Sequence, residues 1–410
     1  MSLSIKNIPS DWELKKLGEI AKTFAGGTPK RSIAEYYNGT IPWIKSGEVN
    51  NDSIITSSEF VTELALKESS TRLIKPNSIL IAMYGATAGK VGVLKVLGCS
   101  NQAVLAVNSE IENLSNVFLY HYLKKCTVEL LNLCQGSGQP NLSKAIVDNL
   151  KIPLPPLKEQ QKIAEILSTV DAKISIIDEQ ISENKNLKKG LMQSLLSKGI
   201  GHTEFKKSAL GEIPKSWEVV KIQDIADVNK ESLANSTDKN YELFYIDLSS
   251  VKSGVIDLPT EKIKFSDAPS RARRKIKKDD VIMATVRPNL LGYGYIDFKE
   301  NDYFVSTGFV VLSYKENFNG RFLYQYLYSE VMQLQIEKLI VGSSYPAINS
   351  SDVKHMKIPL LPLQEQQKIA SILNSVDEKL GVLSEKKSYY QNLKKGLMQQ
   401  LLTGLVRVEV

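Results

Sequence analysis

The sequence predicts a mixed α/β (α+β) chain of two tandem globular domains, separated by two long helices that pair as an antiparallel coiled coil with pseudo-twofold symmetry. Three observations predict this fold: a phrase that occurs twice, a heptad pattern of apolar residues after each occurrence, and strand-like runs before it. Internal repetition of this kind sets the organisation of a chain.

The repeat lies at the end of each half of the chain. IPLPPLKEQQKIAEIL begins at Ile152, and IPLLPLQEQQKIASIL begins 206 residues later at Ile358. NLKKGLMQ recurs at the same offset, from Asn186 and from Asn392. Weaker matches open the halves (IPSDWELKKL, IPKSWEVVKI) and precede the phrase (GSGQPNLS, GSSYPAIN), whereas the interiors barely match. A tandem duplication is therefore predicted, with a first domain, a central helix, a linker and second domain, a C-terminal helix and a tail over residues 1–157, 158–199, 200–363, 364–404 and 405–410.

Apolar residues recur in steps of four and three over residues 163–181 and 369–383, the spacing of an a/d coiled-coil seam. A helix of this length reaches roughly 60 Å. Gly190 and Gly396 each weaken the helical pattern by about 1 kcal/mol relative to alanine, so a kink or break is expected there. The short linker predicts that the helices pair with each other, with polar Asn184 and Lys387 fixing register. The alternatives are packing on the adjacent domain or pairing with a second copy of the chain.

Strand-like runs fill the interiors of both halves. SILIAMYG, KVGVLKVLG and AVLAVN in the first half correspond to VIMATVRP, LGYGYIDF and FVVLSY in the second. Helices are predicted over residues 116–126 and 322–336. Short strands with glycine-rich turns and one helix indicate a small mixed sheet in each domain.

Composition and motifs disfavour several classes of protein. No stretch approaches about 18 apolar residues and the first residues lack an apolar signal core, so a cytoplasmic protein is expected. GATAGKV (85–91) has one residue too few for a phosphate loop and ends in valine, which indicates a tight turn. Other catalytic signatures are absent, which makes an enzyme the weaker interpretation. Buried free thiols, and no metal site, are expected because no metal-binding spacing occurs among Cys99, Cys126, Cys134, His121, His202 and His355.

Basic residues favour a nucleic-acid partner. The chain has 52 Lys and Arg against 45 Asp and Glu, a net charge of +7. RARRKIKK (271–278) carries six of these cations, and such density releases counterions from DNA phosphates, while arginine can also read guanine. The alternatives are a solvated face for this run and ordinary turn chemistry for the polar segments of the first domain. The predicted DNA-binding residues are Gly26, Gly27, Thr28, Lys30, Arg31, Lys45, Ser46, Gln102, Ser137, Gln139, Asn141, Arg271, Arg273, Arg274, Lys275, Arg287, Asn289, Ser343 and Tyr345.

WxxxxLGEI, FAGGTP, IPLPPLxEQQKIAxIL, VDxKI and NLKKGLMQxLL stand in this order, and the last three recur in the second half. This arrangement resembles the specificity subunit of type I restriction-modification systems over essentially the whole chain. The second half departs from the pattern, with DVNKESLAN where the first has TFAGGTPKR.

The resemblance implies a non-catalytic, sequence-specific DNA-recognition subunit. Each globular domain would read one half of a bipartite, asymmetric target, and the helices would set the spacer. The implied partners are double-stranded DNA, two methyltransferase subunits and restriction-motor subunits, and S-adenosylmethionine, ATP and Mg²⁺ are expected only in those partner subunits. The residues expected to dock the methyltransferase are Glu159, Gln160, Gln161, Lys162, Lys188, Lys189, Glu365, Gln366, Gln367, Lys368, Lys394 and Lys395.

Three rival functions predict different behaviour. A free-standing DNA-binding regulator would bind specific DNA without partners. A coiled-coil scaffold would show no sequence preference in DNA. A self-contained methyltransferase would bind S-adenosylmethionine, although the chain lacks an NPPY-like catalytic segment.

Overall fold

A computed structural model describes residues 8–50, 53–109, 111–132, 141–252, 254–299, 302–342 and 346–409. The chain divides into two compact units: Met1–Asp178 with Glu385–Val410, and Glu179–Ser384. Each unit holds one predicted globular domain and part of both long helices. The predicted α+β class is confirmed.

The two long helices span Leu157–Lys198 and Leu363–Leu401. Both continue through their glycines, so the break expected at Gly190 and Gly396 is wrong. The cost of one glycine, about 1 kcal/mol, is small beside the tertiary packing that stabilises most protein helices.

The first unit contains two mixed sheets and a short strand pair. The pair joins Glu13–Lys16 to Lys151–Leu154. The strands of the five-stranded sheet are, in spatial order, Ala21–Ala25, Val104–Ser109, Ile79–Ala82, Val91–Leu94 and Ser53–Ile54. Those of the four-stranded sheet are Phe60–Val61, Tyr37–Ile44, Gly98–Ser100 and Leu73–Ile74. The shorter helices are Leu17–Ile20, Glu63–Glu68, Asn116–Lys125, Thr127–Asn132 and Lys144–Asp148, and the 3₁₀ turns are Ala34–Tyr36, Ser46–Glu48 and Gly85–Thr87.

The second unit repeats this plan. Its strand pair joins Glu218–Lys221 to Lys357–Leu360. One four-stranded sheet contains, in order, Ala226–Val228, Phe309–Tyr314, Val281–Ala284 and Tyr293–Tyr295. The other contains Ile263–Lys264, Glu242–Ile246, Tyr303–Ser306 and Ala272–Lys275. Two hairpins join Phe205–Ser208 to Gly211–Pro214 and Val251–Lys252 to Val255–Ile256. The shorter helices are Ile222–Ile225, Gly320–Leu327, Glu330–Leu339 and Ser350–His355, and the 3₁₀ turns are Leu248–Ser250 and Pro288–Leu290.

Matching strands occupy matching places in the two units. In each, one run predicted as a strand (Ile79–Ala82 or Val281–Ala284) lies antiparallel between two neighbours. One four-stranded sheet of each unit contains a parallel pairing, with Trp43 opposite Cys99 in the first unit and Phe244 opposite Tyr303 in the second. The interiors of the two halves therefore share a topology that their sequences do not reveal.

One predicted helix is interrupted. Residues 322–336 were expected to form a single helix, but Gly320–Leu327 ends before Ser329 and Glu330–Leu339 starts after it. The Ser329 hydroxyl accepts a hydrogen bond from the Met332 amide at 3.2 Å. Serine in this position caps a new helix and competes with continuation of the preceding one.

Most of the seam residues are buried, and the rest are half-buried. In the first unit Ile163 and Leu167 share a core with Phe118 and Leu401. In the second unit Ile369 and Leu373 share a core with other residues that include Leu196 and Trp217. The helices therefore pack both on each other and on the adjacent domain, so the first alternative holds alongside the predicted pairing.

The direction of pairing follows from the ion pairs. In the first unit Lys387 contacts Asp178 at 2.6 Å and Lys394 contacts Asp171, so residue numbers rise on one helix as they fall on the other. In the second unit Lys188 contacts Asp377 at 2.6 Å. Pairing in each unit is antiparallel, as predicted. Asn184, 6% exposed, donates to the Gln180 carbonyl of its own helix.

Candidate nucleic-acid interface

The glutamate of each EQQ phrase anchors the tryptophan that opens the same unit. Glu159, 1% exposed, accepts a hydrogen bond from Trp12 Nε1 at 3.0 Å and from Arg407 Nε at 2.7 Å. Glu365 accepts from Trp217 Nε1 at 3.2 Å, and it also contacts His202. The tryptophan of each weak opening match and the glutamate of each repeated phrase therefore form the same contact in both units.

The first glutamine of each phrase caps a loop of its own domain. Gln160 Oε1 accepts from the Ser115 amide at 2.9 Å, and Gln366 Oε1 accepts from the Asn319 amide at 2.8 Å. Both side chains are fully buried. Buried backbone groups need partners, and these amides supply them.

The predicted docking residues divide by exposure. Glu159, Gln160, Gln366 and Lys394 are buried, and Glu365 is mostly covered, so their side chains are not available to a partner in this conformation. Burial also lowers the pKa of the Lys394 ammonium. The hydrogen bond that Lys394 donates to Asp171 opposes this shift. The docking prediction therefore rests on the exposed Gln161, Lys162, Lys189, Gln367, Lys368 and Lys395 and on the half-buried Lys188.

In the first unit, the predicted DNA contacts include two glycines that serve the fold instead. A Cβ on Gly26 would lie 2.1 Å from the Ser100 carbonyl oxygen, and one on Gly27 would lie 2.6 Å from Ser70. The Gly27 carbonyl also accepts from Trp43 Nε1 at 3.0 Å. Close approach of neighbouring backbone, rather than of DNA, requires these glycines.

Two predicted phosphate ligands share one carboxylate. Arg31 Nη1 donates to Glu59 at 2.7 Å and Lys45 Nζ donates to the other oxygen at 2.9 Å. These two hydrogen bonds hold the pKa of Glu59 below its usual range, and the bond from Arg31 has the larger effect. The Arg31 guanidinium also lies over the rings of Tyr37 and Trp43, 4.7 and 5.0 Å from their centroids. Sequence reasoning missed Glu59 because the contact depends on strand pairing.

The other predicted residues of the first unit that the structure describes are exposed or half-exposed. Lys30, Gln102 and Asn141 are exposed, and the Thr28 hydroxyl donates to Gln102 Oε1. The Ser46 carbonyl accepts from the Thr87 hydroxyl at 2.8 Å. Ser137 and Gln139 lie outside the described residues.

The GATAGKV segment forms the tight turn that was predicted. Gly85–Thr87 is a 3₁₀ turn between two strands of the five-stranded sheet, and Gly85 has φ 77°. Tyr84, 39% exposed, pairs with Asn141 in an isolated antiparallel bridge. The turn and Asn141 therefore lie together at one end of the sheet.

The second unit has its own turn at the same place. Pro288–Leu290 follows the central strand and is flanked by Arg287 and Leu291, which have φ of 50° and 52°. Two left-handed residues that are not glycine indicate local strain of the kind found at functional sites. Arg287, Asn289 and Leu290 are exposed, Leu290 to 64%.

Pro346 and Ala347 lie beside this turn, as Asn141 lies beside Tyr84 in the first unit. The Arg287 amide donates to the Pro346 carbonyl at 2.7 Å, and Val286 pairs with Ala347 in an isolated bridge. Ala347 also bridges to Val341, which is 71% exposed. Ser343 and Tyr345 lie outside the described residues. Sequence reasoning missed the exposed Leu290 and Val341, which carry no motif.

Only part of the basic run is free to face a ligand. Arg273 lies over the Phe265 ring at 4.5 Å and donates to the Ser270 carbonyl at 3.0 Å. Lys275 lies 3.9 Å from Glu231, and Lys277 contacts the same carboxylate. Arg271 is exposed. The run is therefore partly neutralised and partly structural.

Arg274 connects this run to the start of the helix Ser350–His355. Its Nη2 donates to the Ser350 hydroxyl at 3.4 Å, while its buried Nη1 has no hydrogen-bond partner among the described residues. Burial lowers the pKa of the guanidinium. Ser350 begins the helix Ser350–His355, four residues after Pro346, whose carbonyl accepts from the Arg287 backbone amide.

Two of the three thiols are buried, as expected, in the part of the chain that the structure describes. Cys99 and Cys126 are free and buried, and burial raises the pKa of each thiol to about 12. Cys134 lies outside the described residues. Across the described ranges no cluster of His, Cys, Asp and Glu could hold a metal ion, and no helix is long and apolar enough to cross a membrane.

The family described as "type I restriction modification DNA specificity domain" matches this chain twice, over residues 9–185 and 214–388. The chain is 31% identical to the MjaVIII type I restriction enzyme specificity subunit of Methanocaldococcus jannaschii, over 98% of this chain and 94% of that protein. It is 33% identical to the Escherichia coli EcoR124I/EcoR124II specificity subunit, over 45% and 47%.

A solved structure shares the fold. The crystal structure of the S subunit of the type I restriction-modification system from M. genitalium superposes with a TM-score of 0.62 at 17% identity, with full coverage of both chains. The chain therefore belongs to the type I restriction-modification DNA specificity family, and it carries two specificity domains.

Proposed function

We propose that this chain is the DNA-recognition subunit of a type I restriction-modification complex and that each unit reads one half of a bipartite, asymmetric target. The observation that carries the proposal is the matched strand-end turn in the two units, with Asn141 beside it in the first and Pro346 and Ala347 beside it in the second. The first presents Tyr84 and Asn141 there, and the second presents Arg287, Asn289 and Leu290. Equal scaffolds with unequal exposed side chains suit two different half-sites.

The arginine, asparagine and leucine at the second turn can each make a different kind of contact with DNA. Arginine can contact guanine or phosphate, asparagine can pair with an adenine edge, and an apolar side chain can contact a thymine methyl group or wedge between bases. The exposure of Leu290 supports a contact that forms only in a complex.

The chemistry belongs to the partner subunits in this proposal. Two methyltransferase subunits would use S-adenosylmethionine, and restriction-motor subunits would use ATP and Mg²⁺. The exposed lysines and glutamines on the repeated phrases would dock the methyltransferases, and the long helices would set the spacer between half-sites.

The test is to co-express the chain with the methyltransferase encoded beside it and to map modified adenines across the host genome. Methylation confined to one split, non-palindromic motif, and absent without this chain, is the expected result. Expressed partner with no new methylation would contradict the proposal and favour a free-standing DNA-binding or scaffold role.

A further inference from the structure

A cavity of 610 Å³ lies in the first unit, at the start of the strand Ile79–Ala82 and thus at the end of that strand away from Tyr84. The helix Asn116–Lys125 and the long helix Leu157–Lys198 form its other walls. Its volume is within the usual range of sites for small molecules. Apolar lining comes from Ile79, Val93, Val117 and Ala172, and polar lining includes Asn77 and Lys95.

The second unit has a tyrosine where this cavity has Val93. In the matching antiparallel strand pairs, Val93 lies opposite Ile79 and Tyr295 lies opposite Val281. Tyr295 is half-buried, and its hydroxyl donates a hydrogen bond to Asp279 Oδ1 at 2.6 Å. The second unit therefore places a phenol of its own at the position where the first unit has a smaller valine.

The second unit also has an arginine where the cavity has Val117. Each of these two residues is the second after the N-cap of its helix, Ser115 or Asn319. The Arg321 guanidinium lies over the Tyr295 ring, 4.5 Å from its centroid. Val117 is 47% exposed, so the first unit leaves the corresponding space without a covering side chain from this position.

The hydrogen-bond acceptor of the second unit has a counterpart in the cavity. Asn77 and Asp279 both have left-handed backbone, with φ of 65° and 73°. The amide of Asn77 donates to the Leu94 carbonyl at 2.6 Å, and that of Asp279 donates to the Ile296 carbonyl at the same distance. Asn77 Oδ1 accepts from Lys95 Nζ at 3.3 Å. Because an amide oxygen has two lone pairs, Asn77 can accept a second hydrogen bond from an occupant.

The carboxylates of the cavity favour a neutral occupant. Asp171 pairs with Lys394, and Asp178 pairs with Lys387 at 2.6 Å. A carboxylate that has a lysine partner does not require a cation from a ligand. The apolar lining can instead cover the faces of an uncharged ring.

We propose that this cavity binds a small, uncharged molecule with an aromatic ring and a hydroxyl or amino donor, of which a phenol is the simplest example. The ring would lie against Val93 at the position that Tyr295 occupies in the second unit. Its donor would reach Asn77 as the Tyr295 hydroxyl reaches Asp279. The site is separate from the turn proposed to read DNA and does not depend on that function.

The experiment uses p-cresol, the side chain of tyrosine as a free molecule, and toluene, which lacks only the hydroxyl. Titration calorimetry measures the Kd of each for the full chain, and the Tm reports folding. The variants are V93Y, which introduces the ring that the second unit carries, and N77D, which introduces its acceptor. V128Y is the matched control, because Val128 is 66% exposed in the same unit and does not line the cavity.

The wild type should bind one p-cresol, about fivefold more tightly than toluene, because only p-cresol can donate to Asn77. V93Y should keep its Tm and lose at least about tenfold in affinity for both probes, since its own ring takes the space. N77D should bind p-cresol about threefold more tightly and toluene unchanged, because a carboxylate is the stronger acceptor. V128Y should bind like the wild type.

Three results would overturn the inference. The first is no saturable binding of p-cresol by the wild type. The second is wild-type affinity in a folded V93Y or, should V93Y not fold, an unchanged preference for p-cresol over toluene in N77D. The third is complete displacement of p-cresol by the purified methyltransferase, which would identify a side chain of that partner as the occupant.

Discussion

At the scale of single residues, the two glutamates of the repeated phrase explain why that phrase recurs. Glu159 joins Trp12 and Arg407, residues 147 and 248 positions away in the chain. A buried carboxylate is stable only when charged donors or amides compensate its lost hydration. The repeat thus preserves a folding contact as well as any partner surface.

Glu159→Ala should destabilise the first unit by about 2–3 kcal/mol, because the buried Trp12 indole loses its acceptor. The free energy of unfolding in urea measures this. Glu165→Ala is the control, since that side chain is 66% exposed on the same helix, and its effect should stay within about 0.5 kcal/mol. Equal stability of the two variants would contradict this role for Glu159.

Glu59 predicts a specific dependence of stability on pH. Arg31 and Lys45 hold its pKa below the ordinary value of 4.5, so the folded state is favoured above that pH. The contribution is lost as the pH falls through the lower folded-state value. The Tm difference between the wild type and Glu59→Gln should therefore shrink between about pH 5 and pH 3.

The control for Glu59 is Glu112→Gln, an exposed carboxylate in the same unit. Its Tm should follow that of the wild type at every pH. A Glu59→Gln difference that stays constant down to pH 3 would show that the contacts with Arg31 and Lys45 do not lower the pKa of this group in solution.

Sequence could identify some of these residues but not their partners. The cations Arg31 and Lys45 stand in a segment that suggests phosphate binding, yet Glu59 neutralises them through a strand pairing between residues 37–44 and 60–61 that no local pattern encodes. Gly26 and Gly27 likewise suggest close backbone approach, but the approaching backbone belongs to the chain itself.

At the scale of elements, the long helices and the turn at Gly85–Thr87 were predictable, and the backbone of the turn at Pro288–Leu290 was not. A period of 3.5 leaves a direct trace in the order of apolar residues, as at Ile163, Leu167 and Val170. The turn at Pro288–Leu290 depends on two residues that adopt left-handed backbone, which neither Arg287 nor Leu291 favours. Surrounding structure, not propensity, holds them there.

That turn should determine one half of the DNA target. Leu290→Ala and Asn289→Ala should leave stability within about 0.5 kcal/mol of the wild type, because both side chains are exposed. Discrimination at one or two base pairs of a single half-site should fall by about 1–3 kcal/mol each. Sequencing of modified adenines in cells that carry each variant measures the change.

Leu334→Ala is the matched control for the turn, since Leu334 is 49% exposed on the helix Glu330–Leu339 of the same unit. It should leave the whole motif unchanged. If Leu290→Ala and Asn289→Ala also left both half-sites unchanged, the turn would not be the reading element. A change in both half-sites together would contradict the assignment of one reader to each unit.

At the scale of the whole molecule, each long helix has residues in both compact units. Leu157–Lys198 begins in the first unit and ends in the second, and Leu363–Leu401 begins in the second and ends in the first. The proposed role as spacer therefore requires that the lengths of the two helices stay matched. Antiparallel pairing in each unit means that a length change in one helix alone shifts its seam against its partner.

Insertion of one heptad into each helix, after Asp178 and after Ser384, should lengthen the DNA spacer. Seven residues add about 10.5 Å at 1.5 Å per residue and preserve the a/d pattern. With base pairs spaced about 3.4 Å apart, the spacer should grow by about three base pairs while both half-sites stay the same. Insertion into one helix only should instead lower stability and abolish methylation, because the seams no longer match.

The mapped motif decides between these outcomes. A seven-residue insertion after Asn235, in an exposed loop of the second unit, controls for added length and should leave the spacer unchanged. If the double insertion supported methylation at the original spacer, the helices would not measure the distance between half-sites. If it supported methylation only at the longer spacer, the separation of the half-sites would follow helix length, because the seam transmits each added turn from one reader to the other.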